Sequence, residues 1–97
     1  MTATRISVAT AVLLLTLQAV HAAVAPPGAS SCTGCHSAQA GLPEMRPLDG
    51  MPAAELADKM TAFKTGTAPA TIMDRIAKGF DAEEIRALAA WYAAQKP

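Results

Sequence analysis

The chain has two cysteines, one tryptophan, one tyrosine and two phenylalanines in 97 residues. So few aromatics leave little large apolar volume for a core, and a domain of this size draws only about 3–5 kcal/mol from side-chain burial. Something other than side chains is expected to fill its middle. A charge excess is also missing, since eight cations face eight carboxylates. With no basic run or patch, nucleic-acid and anionic-membrane binding are excluded as functions. No strand-like alternation and no internal repeat occurs, which excludes a sheet protein and a repeat array.

Long apolar runs are lacking too. The stretch "VATAVLLLTL", Val8 to Leu17, falls short of the roughly 20 residues that span a bilayer. Arg5 precedes it, and "QAVHA" follows with Val20 and Ala22 at the spacing a signal peptidase accepts. Residues 1–22 therefore read as a cleaved signal peptide and residues 23–97 as one exported, periplasmic domain with no membrane insertion. Without Arg5 the mature part carries seven cations against eight carboxylates.

Helices organise what remains. "AVAPPGA", Ala23 to Ala29, is an extended lead, because two prolines and a glycine oppose a helix. Ser30 or Ser31 is placed to cap a short helix beyond it. "SAQAGLPEMRPLDGMP", Ser37 to Pro52, reads as a long structured loop, and such loops in small domains serve a function or wrap something. A helix is expected next, with Pro52 in its first turn and Gly66 as its stop. Leu56, Met60 and Phe63 lie on one face of it, and Glu55 and Lys59 form an i, i+4 pair. A short helical segment, "TIMDRIAK", closes at Gly79. The last helix opens on Asp81 and Glu84, spaced as a capping box, and buries Ile85, Leu88, Ala89 and Tyr92 with Trp91 beside them. The fold class is all-α.

Chemistry concentrates in "SSCTGCHS", Ser30 to Ser37. A disulfide between Cys32 and Cys35 would close a tiny loop and staple the domain poorly. A structural zinc site needs four ligands, yet Cys32, Cys35 and His36 are the only Cys or His residues beyond the signal. A thioredoxin-like dithiol needs a βαβ setting, which the pattern lacks. A covalently bound haem uses every part of the motif. Two thiols three residues apart can form thioethers with the haem vinyl groups, and His36 then presents its imidazole to the iron. Cys32 and Cys35 are read as attachment points for one haem c and His36 as the proximal iron ligand.

A second axial ligand is expected downstream. Met60 shares a helical stripe with Leu56 and Phe63 and reads as core. Met45 and Met51 follow closely on the motif. Met73 lies 37 residues beyond His36, far enough for the chain to pass one side of the macrocycle, and is the preferred ligand, with Met51 its rival. A His/Met pair fills both axial positions and favours electron transfer over oxygen chemistry.

With "CTGCH", "RPLDGM", "MTAFKTGTAPATIMDRIAKGF" and "AEEIRALAAWYAAQK", the chain resembles a small class I cytochrome c. More narrowly, it is similar to the cytochrome subunit of flavocytochrome c sulfide dehydrogenase. The resemblance implies three to four helices wrapped around one haem, with Cys32 and Cys35 as thioether anchors and His36 and Met73 as axial ligands. It also implies that the carbonyl of Pro47 accepts a hydrogen bond from the His36 imidazole, and that Trp91 and Tyr92 pack near the haem and the first helix. The implied function is one-electron transfer, without catalysis by this chain alone, from a sulfide-oxidising flavoprotein partner to a downstream cytochrome. A freely diffusing periplasmic carrier is the alternative. The chain departs from the family in its first helix, where "APPGASSC" leaves barely a turn before Cys32 and small Gly28 and Ala29 at the usual helix crossing. A weak crossing, or cover from a partner chain, is expected there.

Overall fold

The computed structural model describes residues 24–97. The expected signal peptide, its expected cleavage point and His21 lie outside the described residues. Within them the chain is all-α: four α-helices and one 3-10 turn, and no strand. The helices are α1 (Ala29–Cys32), α2 (Ala53–Thr65), α3 (Met73–Ala77) and α4 (Ala82–Ala93), and the 3-10 turn covers Ala38–Ala40.

Helix α4 forms for reasons visible in its first four residues. The Asp81 carboxylate accepts from the Glu84 amide at 2.8 Å, and the Glu84 carboxylate accepts from the Asp81 amide at 2.8 Å. Two of the four orphan amides of the helix start are thereby satisfied reciprocally. Its expected stripe is buried: Ile85, Leu88, Ala89 and Tyr92. Trp91 lies half-buried beside them, edge-on to the Tyr92 ring with centroids 4.9 Å apart.

Helix α2 is bounded as its sequence implies, by Pro52 at the cap and by Gly66 in the left-handed conformation just past the end. The Gly66 and Thr67 amides turn back onto the carbonyls of Ala62 and Phe63. Leu56 and Met60 are buried and Phe63 packs against them. Helix α2 packs on both α3 and α4. From its last turn the Lys64 ammonium donates to the Phe80 carbonyl, fastening the end of the α3 segment.

Helix α1 differs from the sequence expectation. Its cap is Gly28, at φ 88°, and not Ser30 or Ser31. Both serines fall inside the helix, and the Ser31 hydroxyl donates back to the Gly28 carbonyl at 2.6 Å. The reason lies across the molecule. A Cβ on residue 28 would stand 2.6 Å from the Phe80 ring, so only glycine permits both this backbone conformation and this approach. Ala29 is 2% exposed, and its carbonyl accepts from the Tyr92 hydroxyl. The crossing of first and last helices is therefore short but tight. Small residues let the backbone reach the tyrosine, where a larger side chain would hold it away.

Candidate functional site

The motif continues α1 by one turn. His36 donates its amide to the Cys32 carbonyl at 2.9 Å, and Cys35 does so at 3.3 Å. This turn places Cys32, Cys35 and His36 along one wall of a cavity of about 360 Å3. Both thiols are free, Cys32 half-buried and Cys35 exposed. The Cys32 thiol points at the Gly28 carbonyl, 3.6 Å away.

The long loop supplies a second wall. Its expected role is borne by backbone hydrogen bonds that fold it against the motif and the last helix. Leu48 donates to the His36 carbonyl at 3.3 Å, and Gly50 donates to the Tyr92 carbonyl at 3.0 Å. Leu48 and buried Met51 thereby line the cavity, and Met45 does so from the same loop. Leu56, Met60 and Phe63 close it from α2, Leu88 and Tyr92 from α4. Met73 opens α3 and lines it together with Ile72 and Ile76.

One expectation is corrected. The His36 ring is held through Nδ1 by the carbonyl of Arg46, at 2.9 Å, and not by that of Pro47. Proline still accounts for the contact. It disfavours helical backbone at the preceding residue, Arg46, whose carbonyl accepts from the ring. A carbonyl can only accept, so Nδ1 carries the proton and the Nε2 lone pair is left free.

The structure does not single out one methionine by the cavity alone. Met60, assigned to the core, and Met51, held as the rival ligand, are both buried, and both line the same cavity as Met45 and Met73. Four thioethers therefore meet the cavity. Met73 is set apart by its place on α3, away from the loop that follows the motif.

Other site features had no signal in the sequence. The Arg46 guanidinium is one, binding the Glu55 carboxylate at 3.0 Å and tying the His36 loop to α2; Lys59, the i, i+4 partner that the spacing implies, approaches the same carboxylate at 4.0 Å. The Tyr92 hydroxyl is pushed above its ordinary pKa of 10.0, first by burial and then by the neighbouring Cys32 thiol.

The donor set fits a haem. A predominantly apolar cavity, within the range of about 300–1,000 Å3 usual for ligand sites, meets two free thiols, an imidazole with Nε2 available, and thioether sulfur. These residues define an all-α cradle with soft and imidazole donors on an apolar cavity.

No family model matches the chain, and no solved structure matches it. A curated relative from Thiomonas intermedia (strain K12), named thiosulfate dehydrogenase electron acceptor, is 38% identical over 81 residues. The match covers 77% of this chain and 36% of the relative, so the chain spans little more than a third of the relative's length.

Proposed function

We propose that the protein is an exported monohaem c-type cytochrome that accepts single electrons from a dehydrogenase of reduced sulfur compounds and passes them to a downstream cytochrome. The observation that carries this reading is the convergence of Cys32, Cys35, His36 and Met73 on one apolar cavity. Cys32 and Cys35 would hold the haem through thioethers, His36 and Met73 would ligate its iron, and the compartment would be the periplasm. When bound, the haem would supply a one-electron couple, and ligation by His36 and Met73 would favour electron transfer over oxygen chemistry.

The chain's own residues then have separable tasks. Arg46 fixes the tautomer and ring orientation of His36. Tyr92 holds the backbone that carries Cys32 by donating to Ala29. The apolar lining lowers the local dielectric around the iron site, which strengthens electrostatic interactions there.

The donor's chemistry rests on two supports that share reduced sulfur. The resemblance in "ATIMDRIAKGF" points to a sulfide-oxidising flavoprotein as a permanent partner. The relative's name points to an acceptor for thiosulfate dehydrogenase. The balanced charge disfavours long-range steering. Ile72 and Ile76, 46% and 41% exposed at the cavity, suit an apolar contact with a partner. We read the chain as a dedicated subunit, and a freely diffusing carrier, which an electron acceptor like the relative could equally be, is the second reading.

Native chromatography of the periplasmic extract separates the two. Haem and flavin eluting together in fixed ratio support the flavoprotein subunit, and sulfide is then the first reductant to test. Haem alone, at the size of one small domain and reduced by thiosulfate with a thiosulfate dehydrogenase fraction, supports the diffusible acceptor. Absence of covalent haem in the purified protein overturns both.

A further inference from the structure

Arg46 touches the site twice, once through its backbone and once through its side chain. Its carbonyl holds His36 Nδ1 at 2.9 Å, while its guanidinium, nine residues before Glu55, binds that carboxylate at 3.0 Å. Glu55 stands in the first turn of α2, the helix that also sends Leu56, Met60 and Phe63 into the cavity. The loop that holds the imidazole is thus joined to the first turn of α2 by a charged strut. We infer that the Arg46–Glu55 pair is a positioning device for His36: it fixes the 46–47 carbonyl against the Nδ1 proton and so sets the imidazole's orientation and electron donation toward a bound metal.

Pro47 disfavours helical backbone at Arg46, which narrows the directions its carbonyl can take. Two backbone links also anchor the loop, Leu48 to the His36 carbonyl at 3.3 Å and Gly50 to the Tyr92 carbonyl at 3.0 Å. The ion pair adds a side-chain link to α2. An outer partner that holds a ligating histidine raises the ligand's basicity, and loosening it lowers donation. Lys59 shares Glu55 at 4.0 Å, so the carboxylate remains charge-paired on α2 when the arginine is removed.

This inference rests on the haem reading, and its test reads the imidazole directly. Arg46→Gln and Glu55→Gln are compared with wild type as reduced holoprotein carrying 15N-labelled histidine. The measurement is solvent exchange of the His36 Nδ1 proton, with backbone amides of α4 as the control for global loosening. Exposed ion pairs of this kind shift local equilibria by about 1.5- to 5-fold, and that rise in exchange is expected in both variants. The reversed pair, Arg46→Glu with Glu55→Arg, is expected to restore the slow rate. The reduction potential supplies a sign test. Less donation from His36 raises it in both variants, whereas a purely coulombic effect raises it in Glu55→Gln and lowers it in Arg46→Gln. Unchanged Nδ1 exchange in either single variant, or opposite potential shifts with unchanged exchange, overturns the positioning role while leaving the haem reading intact. A wild-type chain without haem sinks that reading separately, and the 15N shifts of His36 then report whether Nδ1 still holds its proton against the loop and releases it when the pair is broken.

Discussion

Replacing Gly28 by alanine probes the contact on which the short first helix depends. At φ 88° the position is left-handed, which costs a residue with a Cβ about 1–2 kcal/mol. The new Cβ would also stand 2.6 and 2.8 Å from two Phe80 ring carbons. That ring packs against the buried core and can yield only by turning toward solvent, an overpacking cost of about 1–3 kcal/mol. Together the expected loss is about 2–5 kcal/mol. Small domains draw only about 3–5 kcal/mol from side-chain burial, so the variant sits at the edge of folding. Urea unfolding followed by the single tryptophan measures the loss as a shift of midpoint with unchanged slope. Gly41→Ala is the companion: φ is 64° and nothing lies within 4 Å of its Cβ position, so only the backbone cost of about 1–2 kcal/mol is expected. If the two variants lost equal stability, the Gly28–Phe80 contact would carry no steric weight and the reasoning would be refuted.

Other perturbations test other links. Tyr92→Phe leaves the Ala29 carbonyl without its donor and should cost about 1–3 kcal/mol in the same unfolding assay; a neutral result would remove the hydroxyl from the helix crossing. The folded-state pKa of Tyr92 lies above its ordinary 10.0, so the folded state keeps the proton longer than the unfolded one. Stability from this group is full below about pH 10 and falls as pH rises beyond it, and the fall should be smaller in Tyr92→Phe, as urea midpoints across that range will show. Asp81→Ala breaks the capping box and should cost about 0.5–2 kcal/mol, measured as a midpoint shift. Met73→Ala should abolish the far-red charge-transfer band of the ferric holoprotein and lower its potential; an unchanged spectrum would transfer the ligand role to Met51 or another group.

Much of this architecture is legible along the chain because it is local. The capping box of α4 depends on residues three apart, and its buried stripe on the helical repeat, so both follow from the sequence. The limits of α2 follow likewise from Pro52 and Gly66. Contacts between distant segments leave no such trace. Gly28 reads as a loop glycine until Phe80 is placed against it, 52 positions later. Arg46 reads as a surface cation until its carbonyl meets His36 and its guanidinium meets Glu55. The acceptor for His36 was misplaced by one residue for a related reason: the proline marks the turn, but it confines the carbonyl of the residue before it. The Cys-x-x-Cys-His spacing names a chemistry because it lies within a single turn, whereas the choice among four methionines depends on how the loop and α3 close over the cavity.

The central claim is that Cys32 and Cys35 carry one covalent haem with His36 and Met73 at its iron. Intact-mass measurement of the exported protein, with the absorption spectrum of its reduced form, tests it most directly. A mass equal to the chain from residue 23 plus one haem, bound to the Cys32–Cys35 peptide and resistant to acid extraction, with a six-coordinate reduced spectrum unmoved by carbon monoxide, is the predicted result. A mass equal to the unmodified chain, with no haem absorption, would contradict the account.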